Sequence, residues 1–329
     1  AAERAAPQHP RMIVGRPSPL PLRRALGLAL LLSACAAPPP TAPQAEQLLS
    51  AAEDAVAAGD QEAALELLEP LADDACPKRL RDRRDLTTAR AEFSRGEPWR
   101  AFLALRDFSD RHPHSDLRPA AVDLLWEIGS TLVESDAGFL FFWSDRSAGR
   151  TVLEHLVTRH PDTQRLADAL RILGDLAYAD ENYELAQERF RDILLNRPDS
   201  EWFVYAQFRF AMSIVASLQG AEYDLDRMRQ AVRELRDFLA AAPERPELVA
   251  QAQASLAQLL EWQVQRHLQI ASFYRTVDND VGERYHLQLA TADEFRSTAT
   301  YQQAAARLLA LDQSGAARSR EPAEAAAGR

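Results

Sequence analysis

The stretch Asp162 to Ser200, DTQRLADALRILGDLAYADENYELAQERFRDILLNRPDS, constrains the chain more than any other. Leu166, Leu170, Leu173 and Ala177 recur at spacings of three and four, which places them on one face of a helix. Asn182 then sits where a turn or N-cap is needed. Tyr183, Ala186, Phe190, Ile193 and Leu194 make the apolar face of a second helix, which Pro198 ends. The two faces can only be buried against each other, so the stretch predicts a helical hairpin.

Leu170, the Leu173-Gly174 pair, Ala186, Phe190 and Pro198 also keep the spacing of a tetratricopeptide repeat. Small residues let the paired helices approach, and a proline closes each unit. Less perfect copies flank it. Ala64, Leu68 and Leu71 share a face after Gly59-Asp60, with Pro77 as stop. Ala89, Ala101, Leu105, Phe108 and Pro113 keep the small–small–large–large–proline order. A third unit carries Ile128-Gly129 and then Gly149, Leu153, Leu156 and Pro161, with eight extra residues between its helices. A fifth shows Ala211, Ala231, Leu235, Phe238 and Pro243, again with an eight-residue insertion. A degenerate sixth unit runs from Glu247 to about Leu311, opening on a long helix from Leu248 to Arg275. The prediction is an all-α solenoid of about five to six tetratricopeptide-like hairpins over residues 45–312, with a capping last unit.

Composition agrees with helices. The chain is 47% hydrophobic with only 12 Gly in 329 residues, and no run of Val, Ile and Thr alternates at period two. Residues 313–329, rich in Ala, Gly, Ser, Arg and Glu without periodicity, are expected to be a disordered tail. The net charge is −11, and the chain beyond residue 34 carries −15. Nucleic acid, which needs a basic patch, is therefore not an expected partner.

The N-terminus has the form of an address. With translation from Met12, Arg16, Arg23 and Arg24 form a positive region, Ala25–Leu32 a short apolar run, and Ser33-Ala34 a small-residue site, so residues 1–34 are expected to be a signal peptide. The apolar run is too short to span a bilayer, which needs about 20 residues. Leu32-Ser33-Ala34-Cys35 resembles the bacterial lipobox, and that resemblance implies a covalent lipid on Cys35. A plain signal peptide cut after Ala34 is the other reading. The proline-rich segment that follows gives a lipidated tether over 35–44. Ala36 stands where aspartate would retain a lipoprotein in the inner membrane, so the outer membrane is the expected address. Cys76, the second of two cysteines, is expected to be a small buried hydrophobe.

The closing prolines fall in a recurring phrase: His112-Pro113-His114-Ser115, His160-Pro161-Asp162-Thr163 and Arg197-Pro198-Asp199-Ser200. Proline cannot continue a helix, and a hydroxyl two residues later can cap the next one. Such repeats behind a lipobox resemble the BamD-type lipoproteins of outer-membrane protein assembly. The helix Ala231-x-x-x-Leu235-x-x-Phe238-Leu239 behind a Tyr-Asp loop, and His267-Leu268-x-x-Ala271-x-Phe273-Tyr274, carry the resemblance further. It implies a non-catalytic scaffold on the periplasmic face of the outer membrane. Its implied partners are a β-barrel assembly machinery and unfolded outer membrane proteins, and it implies no small-molecule substrate. Envelope scaffolds of the Tol-Pal or peptidoglycan type also carry Pro-Asp-Ser/Thr repeats, but usually behind a plain signal peptide and a coiled coil. The lipobox and the lack of heptads before Ala45 favour the first reading.

Catalytic signatures are missing from the sequence: it has no HExxH, GxSxG, P-loop, GxGxxG or CxxC. Neither catalytic residues nor a cofactor are expected. His112-x-His114-x-Asp116 has metal-ligand residue types, but it lies at a repeat boundary where polar turn residues belong, so no metal site is assigned. The insertion Asp136–Gly149 contains an unbroken apolar run with Phe139, Phe141, Phe142 and Trp143. These side chains can pack between the helices of the third unit, or protrude to dock a partner or touch a membrane interface.

Overall fold

The computed structural model describes residues 39–135, 145–222, 224–241 and 244–327. Cys35, Phe139, Phe141, Phe142, Trp143 and Pro243 lie outside them, as does the expected signal peptide. The described residues from 39 onward form one compact unit of helices, and among them there is no strand.

Helices pair in chain order. The hairpins are α1 (Ala42–Ala58) with α2 (Gln61–Leu68), α3 (Arg81–Ser94) with α4 (Pro98–Leu105), and α6 (Arg118–Glu134) with α7 (Asp145–Arg159). The one-turn α5 (Phe108–Arg111) follows α4 and packs on α6. Next come α8 (Leu166–Ala179) with α9 (Tyr183–Asn196), α10 (Phe203–Ser217) with α11 (Leu225–Ala241), and α12 (Pro246–Thr276) with α13 (Asp280–Ala290). A last helix, α14 (Tyr301–Ala327), packs on α12 and α13. The second helix of each pair also packs against the first helix of the next, so the chain is a stack of tetratricopeptide-like hairpins.

The turns explain why the stack repeats. In four hairpins the first helix ends on one residue in the left-handed region: Gly59 (φ 82°), Gly96 (φ 86°), Glu181 (φ 58°) and Asp278 (φ 51°). The residue after it closes the same cap, Asp60 N–H donating to Ala55 O at 2.9 Å, Glu97 to Glu92 O at 2.9 Å, Asn182 to Ala177 O at 2.9 Å and Asn279 to Tyr274 O at 2.9 Å. In three of them that residue also caps the second helix. Asp60 Oδ1 accepts from Ala63 N–H at 3.1 Å, Asn182 Oδ1 from Leu185 at 3.2 Å and Asn279 Oδ1 from Gly282 at 2.9 Å. In the two hairpins with insertions the first helix ends instead on an extended residue, Ser135 (φ −69°, ψ 120°) after α6 and Leu218 (φ −88°, ψ 130°) after α10. Left-handed backbone is strained for glutamate, so Glu181→Gly is expected to stabilise the chain by about 0.5–1 kcal/mol, read as a higher urea midpoint with an unchanged slope.

The proline phrases form a second repeated device. In each, the hydroxyl accepts from the N–H two residues on: Ser115 from Leu117 at 3.1 Å, Thr163 from Arg165 at 3.3 Å and Ser200 from Trp202 at 3.1 Å. The hydroxyls therefore brace the turn ahead of the helix and are not its caps. The N-cap positions proper are Leu117, Arg165 and Trp202, none with a side-chain cap bond.

Three apolar cores run along the stack. Ala45, Leu49, Leu68, Leu71, Cys76 and Leu80 form the first, in which Cys76 is 1% exposed and burial pushes its thiol pKa up. A middle core spans α3 to α8, and the largest runs from α8 to α14. Helix α8 is the seam: Ala169, Ile172, Leu173 and Leu176 face the middle core, while Leu166, Leu170 and Ala177 face the large one.

Both outer boundaries differ from expectation. Helix α1 begins at Ala42, inside the expected tether, because Thr41 and Gln44 form a capping box and Pro43 falls in the first turn, where proline is tolerated. Helix α14 continues to Ala327, past residue 313, because an Ala- and Glu-rich stretch has high helix propensity even without an apolar face. Pro77 does not stop a helix directly. Helix α2 ends at Leu68, and short 3-10 turns at Glu69–Leu71 and Asp73–Ala75 lead to it.

Candidate partner-docking face

The repeat-defining residues sit at the α8–α9 crossing. Leu170, Ala186 and Phe190 are buried, and Gly174 lies directly under the Phe190 ring, where a Cβ would stand 2.7 Å from Cζ. Pro198 follows the C-cap Arg197, whose guanidinium donates to Pro161 O at 2.9 Å and Thr163 O at 3.0 Å, tying one proline turn to the previous one. Leu170, Gly174, Ala186 and Phe190 build the stack and face inward, while Pro198 is exposed at the turn.

What the stack presents outward is a chain of arginines and aromatic rings along the first helices of units three to five. Asp175 on α8 is its hub, accepting from Tyr205 Oη at 2.8 Å, Arg209 Nε at 3.1 Å and Arg171 Nη1 at 3.1 Å. Arg209 lies over the Tyr178 ring at 3.9 Å and Arg171 over Trp202 at 4.4 Å. Trp202 Nε1–H donates to Asp168 at 2.7 Å, and Arg165 extends the row to Trp126 at 5.9 Å. Burial first, and then the Asp175 carboxylate, pushes the Tyr205 hydroxyl up to about 12, so it stays a hydrogen-bond donor. Apart from the exposed Arg165, every member is half-buried: each is held by its neighbours yet keeps an edge in solvent.

Such a surface has the makings of a protein-binding site. Tyr, Trp and Arg dominate interface energetics, and side chains already fixed by packing lose little entropy on binding. No nucleophile is paired with a base in it. A stack of hairpins offers a groove lined by its first helices, but the sequence singles out only Phe139, Phe141, Phe142 and Trp143 for docking and none of the residues of this face. The available signal was the pairs Arg171-x-x-x-Asp175 and Tyr205-x-x-x-Arg209, whose spacing puts each pair on one helix side.

Of the residues weighed for metal, His112 is used otherwise, while His114 and Asp116 are exposed. His112 Nε2 lies 2.8 Å from Asp85 Oδ2, a buried carboxylate that also takes Arg84 Nη2 at 2.6 Å and the Arg111 guanidinium. Among the described residues no group of three His, Cys, Asp or Glu is placed to hold a metal ion. Nor, among them, is any helix long and apolar enough to cross a membrane.

The comparison with known families decides what the fold alone cannot. A family model described as an outer membrane lipoprotein, YfiO, matches residues 143–311. The chain belongs to the YfiO family of outer membrane lipoproteins. The match begins in the third hairpin and takes in the whole row of arginines and rings from Arg165 to Arg209. A tetratricopeptide repeat protein from Parabacteroides merdae is similar in structure at 15% identity and a TM-score of 0.37, over 82% of this chain and 98% of that one. The tetratricopeptide domain of P58(IPK) is similar at 15% identity and a TM-score of 0.26, over 83% and 67%. No curated protein matches the sequence. A hairpin stack in this family is a scaffold for binding proteins.

Burial also gives the scaffold an acid sensitivity. His155, His160 and His267 have their pKa values pushed down, burial being the largest cause in each, and His267 falls to about 4. The unfolded chain takes up these protons near pH 6.5, before the folded one does. Stability is therefore full above about 6.5 and falls as pH drops towards about 4. Melting temperatures are expected to decline already between pH 6.5 and 5, above the carboxylate range, and less steeply in His267→Gln.

Proposed function

We propose that this chain is a lipid-anchored scaffold on the periplasmic face of the outer membrane, taking part in the insertion of β-barrel proteins. Membership of an outer membrane lipoprotein family is the observation that carries the reading. The lipobox at Cys35 supplies the anchor: the thiol is acylated, the chain is cut before Cys35, and the acyl chains hold the stack at the membrane. The half-buried row of arginines and rings supplies a rigid surface for a folded partner or an extended strand. Anchoring concentrates both at one membrane, which raises binding without any new contact.

In-cell crosslinking followed by purification of the anchored protein and mass spectrometry tests the reading. Recovery of an outer-membrane β-barrel with periplasmic domains supports it. Recovery of peptidoglycan-linked or Tol-type proteins instead overturns it and leaves a scaffold of the cell wall.

A further inference from the structure

The arginine–aromatic row carries one positive charge more than it balances. Arg165 has Asp168 as its partner at 3.6 Å. Arg171 and Arg209 instead share the single carboxylate of Asp175, which also takes the Tyr205 hydroxyl. Two cations therefore stand against one carboxylate, in a chain whose net charge is −11. Of the Arg209 guanidinium, Nε alone is used among the described residues, on Asp175 at 3.1 Å. Its outer nitrogens Nη1 and Nη2 have no partner there, and both keep contact with solvent.

Those two nitrogens are held in place. The guanidinium lies over Tyr178 at 3.9 Å, with the Phe190 ring at 5.7 Å and the Tyr205 ring at 5.9 Å, and the Arg209 side chain is 18% exposed. The bond from Nε to Asp175 fixes the rotation that stacking leaves free, so the outer edge of the fork has one direction. Rings continue the row both ways from Arg209. Tyr205 meets Trp202 at 6.0 Å on one side, and Tyr178 meets Tyr183 at 5.3 Å on the other. Burial raises the pKa of the Tyr178 hydroxyl, the Arg209 charge opposes it, and no carboxylate among the described residues acts on it. The excess charge thus sits where the chain supplies no second acid.

We infer that Arg209 receives the side-chain carboxylate of an aspartate or glutamate within a protein partner, its two oxygens accepting from Nη1 and Nη2. The fork matches a carboxylate in shape, and the one charge left over matches a group that carries one. Rings on both sides suit a segment that continues past the arginine in both directions, so the acid lies within the segment rather than at its end. The surrounding Tyr178 and Tyr205 rings give the aliphatic stem of that side chain a surface to pack on. The inference rests on this face being the docking surface, but not on which protein docks there.

The test is fluorescence anisotropy on the purified full chain. The probe is a labelled peptide of alternating threonine and glutamate with an amidated C-terminus. Two comparison peptides carry glutamine in place of glutamate, one amidated and one with a free C-terminal carboxylate. The glutamate peptide is expected to bind, and neither glutamine peptide is. Arg209→Lys keeps a cation over the Tyr178 ring but loses the fork, and is expected to weaken binding by about tenfold or more. Its melting temperature is expected to stay close to that of the parent chain, which separates a lost contact from a lost fold. Arg209→Gln is expected to abolish binding, and if it melts early the lysine variant decides. Arg100→Ala, at an exposed arginine on α4, is expected to change nothing. No binding of the glutamate peptide, equal binding of the amidated glutamine peptide, or full affinity in Arg209→Lys overturns the proposal. Binding of the glutamine peptide only with its free C-terminus overturns it too, since the carboxylate would then be a chain end. Equal loss in Arg100→Ala overturns it as well, as attraction by charge at large. If these peptides fail while a photoreactive residue at Tyr205 still traps a partner, the face stands and its carboxylate chemistry falls. If the peptides behave as expected and Tyr205 traps nothing in cells, the chemistry stands and the docking role falls.

Discussion

Phe190→Ala is expected to lower the stability of the chain by about 4 kcal/mol, measured as a fall in the urea unfolding midpoint. The ring is fully buried within the largest apolar core, at the crossing of α8 and α9. It fills the space that Gly174 leaves, and the Tyr205 ring stands 6.2 Å away, edge to face. Neighbouring elements cannot close the cavity, because α8 is held on its other side by the middle core. Gly174 and Phe190 are a matched pair. Gly174→Ala alone brings a Cβ to 2.7 Å from Cζ, and the double variant Gly174→Ala, Phe190→Leu is expected to lose less than the sum of the two single losses. Additive losses would show that the ring and the glycine do not share their space.

Gly149→Ala is expected to cost about 3 kcal/mol, by a different route. An added Cβ would stand 2.7 Å from the backbone nitrogen of Val133 and 2.9 Å from Gly129 O. Backbone cannot turn aside as a side chain can, so α6 and α7 must separate, and the core they share with α8 opens. Gly129→Ala, at the same crossing, meets the Leu153 side chain first, at 2.7 Å. It is expected to cost less than Gly149→Ala. Thermal melts of the two variants followed by circular dichroism check the order. A reversed order would place the crossing elsewhere.

The hairpins were legible in the sequence because apolar residues at spacings of three and four report a helix face directly, and Ala, Gly and Phe at fixed offsets report how two faces meet. Leu170, Gly174, Ala186 and Phe190 carry both kinds of information at once. Turn chemistry was half legible. Gly59 and Gly96 advertise a left-handed residue, whereas Glu181 and Asp278 adopt the same backbone without announcing it. Helix ends in proline- or alanine-rich stretches were misread, since Pro43 reads as tether until the Thr41–Gln44 capping box is seen, and the composition of a disordered tail is also that of a good helix. The docking face was not legible. Asp175 gathers Arg171 from its own helix and Tyr205 and Arg209 from the next one, and only the stacking of α8 on its neighbours brings them together.

That face carries the central claim, and site-specific photo-crosslinking in cells tests it most directly. A photoreactive residue placed at Tyr205, on the first-helix face, is expected to trap a protein partner. One at Glu188, exposed on the second helix α9, is expected to trap little or none. Equal trapping at both positions, or trapping at Glu188 alone, would contradict the account and move the binding surface to the other side of the stack.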